Sequence, residues 1–372
     1  MTKYFEFLRC PETRQKLDLF SLSEAESKIA GKLLPLRNTT PDTLSNIPVP
    51  VGVTQEVLLR KDRLCAYPVK DGIPVLLIPE ILGTNGQQRA FDFNDARYAE
   101  SYSEMDIYNK VAIGELSNIE KSEAYKIIEP LLTVPYAQLK SFPNPPNIWI
   151  DAIYDCGSQW DAYNHMGPVY GQRILQLGGK GIHAIKFLLA GAKDVWVLSP
   201  MIAEIICSES LGKISCVSDR LHGVTGIAEE MPFMDGFFDA VYSGGCVHHM
   251  VTSRALPEIS RVLCEGGKFC AVDPWRTPVY GLGKRIFGQR ESAHCHPLTK
   301  KRIEPLSQVF SDFKVIHHGA LLRYPLLVLN KIGFKMSIEV SWRINKMDDF
   351  LSDLLPGFRN YMGGSVSLLC TK

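Results

Sequence analysis

The sequence predicts an α/β protein, a mostly parallel sheet with helices on both faces preceded by a small α+β unit. Three observations carry this. From residue 173 onward, short β-type runs alternate with helical ones. The first such run, Arg173-Ile174-Leu175-Gln176-Leu177, empties into a glycine-rich turn, Gly178-Gly179-Lys180-Gly181. The first eighty residues have a different texture, and their closing run, from Cys65 to Leu77, places β-type segments around an Asp71-Gly72 turn, as a hairpin requires.

Taken in order, residues 1–80 form the small unit, with a Pro-, Thr-, Asn- and Ser-rich loop over 32–50. Residues 81–165 read as a helical segment, with helices over 97–113 and 122–132 ended by three prolines in 141–146. Residues 166–372 hold the sheet. Its strands are expected at 173–177, 194–198, 236–243, 268–273, 313–318 and 365–370. A helix runs from the glycine turn to Ala190, and an amphipathic one over 253–263 is closed by Gly266-Gly267.

Composition narrows the function classes. A chain of 372 residues, 45% hydrophobic and 22% charged, suits two globular domains. Lys and Arg total 41 against 40 acids, so no overall field favours a polyanion, and neither nucleic acid nor membrane is expected as a partner. The start carries charges where a secretion signal needs an apolar run, and the longest apolar stretches, 75–79 and 321–329, fall short of a bilayer span. Ten cysteines without a Cys-x-x-Cys pair read as free thiols in a reducing cytoplasm. Oligomeric state is not legible.

Chemistry enters with the glycine turn, because glycine allows close backbone approach and the free amides of the next helix favour a negative group. Downstream stands Gly226-Ile227-Ala228-Glu229-Glu230-Met231-Pro232-Phe233, then Phe238-Asp239-Ala240-Val241, then His248-His249. This run resembles the type-11 class I methyltransferases, which read Gly-Asp-Ala-Glu-x-Leu-Pro-Phe, Phe-Asp-x-Val and a His-His pair. The resemblance implies a Rossmann-like sheet binding S-adenosylmethionine (SAM) at the carboxyl ends of its strands. By position, Gly178, Gly179 and Gly181 would lie against the methionine and ribose, Ala228, Glu229 and Met231 would border the adenine, and Ser243 would edge the methyl-transfer site. Three positions depart from the family. Gln176 replaces an acid in the first strand, Leu198 or Ser199 replaces the ribose-gripping acid, and Ile227 replaces the Asp that meets the adenine. Ser199 and Ile227 therefore remove charged hydrogen bonds worth about 1.5–3 kcal/mol each, leaving backbone groups and apolar packing to hold the cofactor.

The opening unit resembles the small Trm112-like module through Tyr67-Pro68-Val69-Lys70-Asp71-Gly72-Ile73-Pro74. Thr13 stands in place of that family's second cysteine, Arg60 lies near a later one, and only Cys10 is placed as a ligand, so zinc is expected to be lost. Elsewhere, Tyr98, Tyr102 and Tyr108 are candidates to face a substrate. So is Trp275, which follows the fifth strand. His249, His294 and His296 are candidate general bases, with no metal expected. The basic residues Lys284, Arg285, Arg290, Lys300, Lys301 and Arg302 read as a solvated face or a receptor for an anionic substrate group. The leading reading is a SAM-dependent methyltransferase acting on a small molecule. A binding or regulatory module, or an enzyme of the same fold with other chemistry, stays open.

Overall fold

A computed structural model of the chain describes residues 4–28, 56–63, 65–77, 105–281, 296–334 and 336–372. The expected sites Tyr98, Tyr102 and His294, and the basic residues Lys284, Arg285 and Arg290, lie outside them.

Seven strands form the main sheet: β5 (Arg173–Leu177), β6 (Asp194–Ser199), β7 (Leu221–Thr225), β8 (Phe238–Gly244), β9 (Leu263–Pro274), β10 (Asp312–His318) and β11 (Ser365–Thr371). They lie in the order β10-β11-β9-β8-β5-β6-β7, with β11 antiparallel to both neighbours and the central strands parallel. Strands buried on both faces need continuous apolar runs, and β5 and β6 supply them. The order reverses at β5, whose neighbours are β6 and β8. This switch point is where an open α/β sheet leaves a crevice for a ligand.

Two sequence expectations shift. β7 was not foreseen, since Leu221-His222-Gly223-Val224-Thr225 is short and interrupted by a polar residue and a glycine. The Gly266-Gly267 pair does not close a helix. The helix Thr252–Val262 ends because Leu263 is already extended, and the glycines sit in an irregularity of β9 opposite Phe238 and Ala240.

The N-terminal residues build a four-stranded antiparallel sheet, β1 (Leu17–Ser21), β2 (Glu56–Arg60), β3 (Ala66–Lys70) and β4 (Ile73–Pro74). It is fastened to the free edge of β7: Leu76 N–H donates to Thr225 O at 2.7 Å, and Arg14 donates to Met231 O and Glu258. Leu8, Leu17, Leu58 and Tyr67 share one apolar core with Leu175, Trp196, Phe233 and Phe238.

The reading that Cys10 alone stands at a ligand position is corrected here. The β2–β3 hairpin brings Cys65 to hydrogen-bond Cys10, with Tyr67 Oη 3.3 Å and Arg60 Nη1 3.8 Å from the Cys10 sulfur. The bond from Cys65, more than any other contact, pulls the Cys10 thiol down to about 4. Among the described residues two thiols are too few ligands for a tetrahedral zinc, and Arg60 places positive charge beside the sulfur instead. Metal analysis of purified protein is expected to find well under one zinc per chain. Stoichiometric zinc that disappears on Cys10→Ser would contradict this.

Candidate functional site

The carboxyl end of β5 turns through Gly178, Gly179 and Gly181, all at positive φ, into helix α5 (Ile182–Leu189); α1 is Leu22–Lys28, α2 Met105–Leu116, α3 Glu123–Ile128 and α4 Cys156–Met166. Two of these glycines are required by space as well as by backbone. A Cβ at Gly178 would lie 2.5 Å from Cys246 Sγ, and one at Gly181 would lie 2.3 Å from Ser208 Cβ. The turn is therefore pressed against the loop that follows β8 and against helix α6 (Ile202–Ile214). Gln176, where an acid was expected, braces the turn from within: its amide donates to Gly178 O at 2.7 Å and its oxygen accepts Ala184 N–H at 2.6 Å.

A carboxylate reaches Ser199 and the glycine turn from elsewhere in the chain. Ser199 is fully buried, and its hydroxyl donates to the Glu204 carboxylate at 2.7 Å. The same carboxylate oxygen accepts Gly179 N–H at 3.0 Å. Helix α6 thus carries a carboxylate back to the glycine turn, five residues beyond the position where the sequence lacks one. Burial raises its pKa to about 6, against the bonds from Ser199 and Gly179 that favour its ionised form.

Helix α2 lies across this region. Its Asn109 Oδ1 accepts Ala203 N–H, Glu115 pairs with Lys180 of the glycine turn at 2.5 Å, and the Tyr108 ring meets the His249 ring edge-on at 5.6 Å. Of the tyrosine candidates, Tyr108 is thus brought to the loop after β8. His296 is exposed and stands close enough to His249 to disfavour its protonated form. Burial above all, then His248, Arg302 and His296, push His249 down to about 3.

Its neighbour His248 is the ring that meets a carboxylate. His248 Nδ1 lies 2.7 Å from Asp273 Oδ1, which also accepts His248 N–H at 3.0 Å. A carboxylate on Nδ1 fixes the proton there and leaves Nε2 as the basic nitrogen. Asp273 ends β9 with its other oxygen buried and without a partner among the described residues. The sequence shows both residues but not their contact, since 25 positions separate them.

Other candidates serve the frame. Glu229 accepts Val251 N–H at 2.8 Å, steadying the start of helix α7 (Thr252–Val262). Met231 is fully buried in the apolar core, so its side chain offers no cofactor surface. Trp275 is also a core residue, packed edge-on against His317 at 4.7 Å. Ile227 and Ala228 lie just past β7, nearly buried, and Ser243 is fully buried at the end of β8.

SAM fits this donor set: the Glu204 carboxylate stands at the turn with one oxygen bonded and the other making no hydrogen bond among the described residues.

Part of the chain matches known methyltransferases. The family described as "Methyltransferase domain" matches residues 179–271. An uncharacterized methyltransferase of Mycobacterium bovis is 29% identical over 123 residues, 33% of this chain and 47% of that protein. The tRNA U34 carboxymethyltransferase of Vibrio cholerae is 27% identical over 147 residues, 39% of this chain and 45% of that protein. The chain thus spans less than half the length of these relatives. Among solved structures, geranyl diphosphate methyltransferase in complex with SAM covers 64% of this chain and 94% of its own, at 15% identity and a TM-score of 0.42. The expectation that nucleic acid has no part is corrected, because relatives named for tRNA stand among the matches. Among the described residues no helix is long and apolar enough to cross a membrane. Residues 179–271, which run from the glycine turn into β9, thus match a methyltransferase domain, and SAM is the cofactor that match implies.

Proposed function

We propose that the whole chain is a SAM-dependent methyltransferase acting on a small-molecule acceptor. The observation that carries the enzyme reading is Glu204, a buried carboxylate returned to the glycine turn where the strand itself offers none. When bound, SAM supplies an electrophilic methyl group. Gly179, where a Cβ would meet no protein atom nearer than 3.4 Å, allows its close approach, and Glu204 would accept from its ribose hydroxyls. Transfer is an in-line displacement, so these residues contribute chiefly by holding donor and acceptor in attack geometry. His248, oriented by Asp273, takes a proton at Nε2 if the accepting atom is an oxygen or nitrogen that must lose one. Helix α2 excludes water from above the turn through Glu115–Lys180 and Tyr108–His249. The N-terminal sheet is read as a degenerate Trm112-like module fastened to the edge of β7 and serving as frame.

The small-molecule acceptor is the sequence's own expectation; the overall charge balance does not decide against RNA, because it says little about a local surface. A second reading, RNA as acceptor, is favoured by the relatives named tRNA U34 carboxymethyltransferase. Tritium-labelled SAM distinguishes them. Incubated with a deproteinised small-molecule extract and separately with total RNA, the protein is expected to transfer label into the extract. Label in RNA alone would replace the first reading with the second. Label in neither, with cofactor bound, would remove the methyltransferase reading.

A further inference from the structure

Behind the glycine turn runs a buried polar chain that the reading above does not use. Lys186, 1% exposed on α5, donates to Trp149 O at 2.6 Å and to the Asp151 carboxylate. Gln159 of α4 donates to that carboxylate at 2.6 Å and to Tyr163 Oη at 3.3 Å. Tyr163 Oη lies 2.6 Å from Nδ1 of His183, in the first turn of α5.

The direction of this chain can be worked out. The Gln159 oxygen accepts two backbone N–H groups, from Asp151 and Ala152, each at 2.9 Å, so the orientation of its amide is fixed. Both its N–H groups are then donors, and one is spent on Tyr163. The Tyr163 hydroxyl has one proton to give and two neighbours to receive it, Tyr242 and His183 Nδ1; the contact to His183, at 2.6 Å, is the short one, and the proton is assigned there. An imidazole that accepts at Nδ1 and stays neutral carries its single proton on Nε2. Burial keeps it neutral, lowering its pKa to about 4.

That Nε2–H has no hydrogen-bond partner among the described residues. It faces the carboxyl end of β8: a Cβ on Gly244 would lie 2.7 Å from it, and Gly244 itself is exposed. Glycine there leaves the donor uncovered at the strand end that edges methyl transfer in this fold.

We propose that His183 Nε2–H is a hydrogen-bond donor for a carboxylate or carbonyl oxygen at the methyl-transfer site, held in the donor tautomer by Tyr163. The inference rests on the methyltransferase reading. It makes His183 a binding residue and excludes it as the base, a role left to His248. The oxygen comes from one of two sources, the methionine carboxylate of the cofactor or an oxygen beside the accepting atom of the substrate. Either way the ligand is an acceptor at this point, and a group offering only N–H or a cation is disfavoured.

Nitrogen-15 NMR of imidazole-labelled protein at pH 7 is expected to show His183 as the Nε2–H tautomer. Titration with S-adenosylhomocysteine and with methylthioadenosine, which lacks the carboxylate, separates the two sources. If the cofactor supplies the oxygen, His183→Phe weakens S-adenosylhomocysteine about tenfold or more and leaves methylthioadenosine unchanged. If the substrate supplies it, both titrations stay unchanged while label transfer falls by a similar factor. In either case His183→Gln, which retains a donor, recovers most of the loss. An Nδ1–H tautomer, or a His183→Phe protein within twofold of the unaltered one in every assay, overturns the inference alone. Failure of the unaltered protein to bind S-adenosylhomocysteine overturns the methyltransferase reading, and this inference with it.

Discussion

Glu204→Gln is expected to weaken SAM binding roughly 10- to 150-fold while leaving the protein folded. The carboxylate is the only acidic side chain hydrogen-bonded to the glycine turn's backbone among the described residues, through Gly179 N–H, and it also accepts the Ser199 hydroxyl. A hydrogen bond to a charged group contributes about 1.5–3 kcal/mol, which sets that range. The amide keeps the shape and loses the charge, so isothermal titration should register weaker binding while the melting temperature should not fall. Unchanged affinity would mean that the carboxylate merely braces Ser199 and Gly179. A pH dependence follows. Burial holds this acid at about 6, above the roughly 4.3 of a free glutamate, so the folded chain binds its proton more tightly than the unfolded chain does. The group's contribution to stability is therefore greatest at low pH and declines as pH rises from about 4.3 to 6. Cofactor affinity runs the other way, since ribose hydroxyls bond best to the ionised form. It is present above about pH 6, is lost as pH falls through that value, and this inflection should be absent in Glu204→Gln.

The largest stability loss is expected from Asp151→Ala. It strands Lys186, 1% exposed, with Trp149 O as its one remaining acceptor among the described residues. Breaking a buried ion pair from one side costs about 3–5 kcal/mol, more than the pair itself contributes, because the orphaned charge stays out of water. For a chain of this size that corresponds to a fall of roughly 4–6 °C in melting temperature. The pair Asp151→Ala with Lys186→Met removes both charges and is expected to recover much of it. Calorimetric scans of the three proteins decide the matter. A single variant melting within a degree of the unaltered protein would show that Lys186 reaches solvent or sheds its proton.

The parallel sheet was legible because its strands are apolar on both faces and its glycines mark the turn, and 173–177 and 194–198 fall within a residue of β5 and β6. What the sequence hid is contact made across the fold. Glu204 looks like an ordinary first-turn acid of α6, and only the packing of that helix on the glycine turn gives its carboxylate a role. Cys65 and Cys10 are 55 positions apart, and only the hairpin makes them neighbours. His183 reads as one polar residue in an apolar helix, with nothing local to reveal the hydroxyl at its Nδ1. The histidine pair was found by motif, but the motif does not say which ring receives the carboxylate, and the structure gives it to His248. The correction on nucleic acid has another cause: overall charge balance says little about a local surface, and relatives that bear tRNA in their name outweigh it.

Calorimetric titration of the unaltered protein with S-adenosylhomocysteine at pH 7.5, a working value above the roughly pH 6 inflection set by Glu204, tests the central claim most directly. The account predicts saturable binding at one site per chain, diminished in Glu204→Gln. No heat at millimolar ligand would contradict it, and the glycine turn with its returned carboxylate would then be a structural feature only.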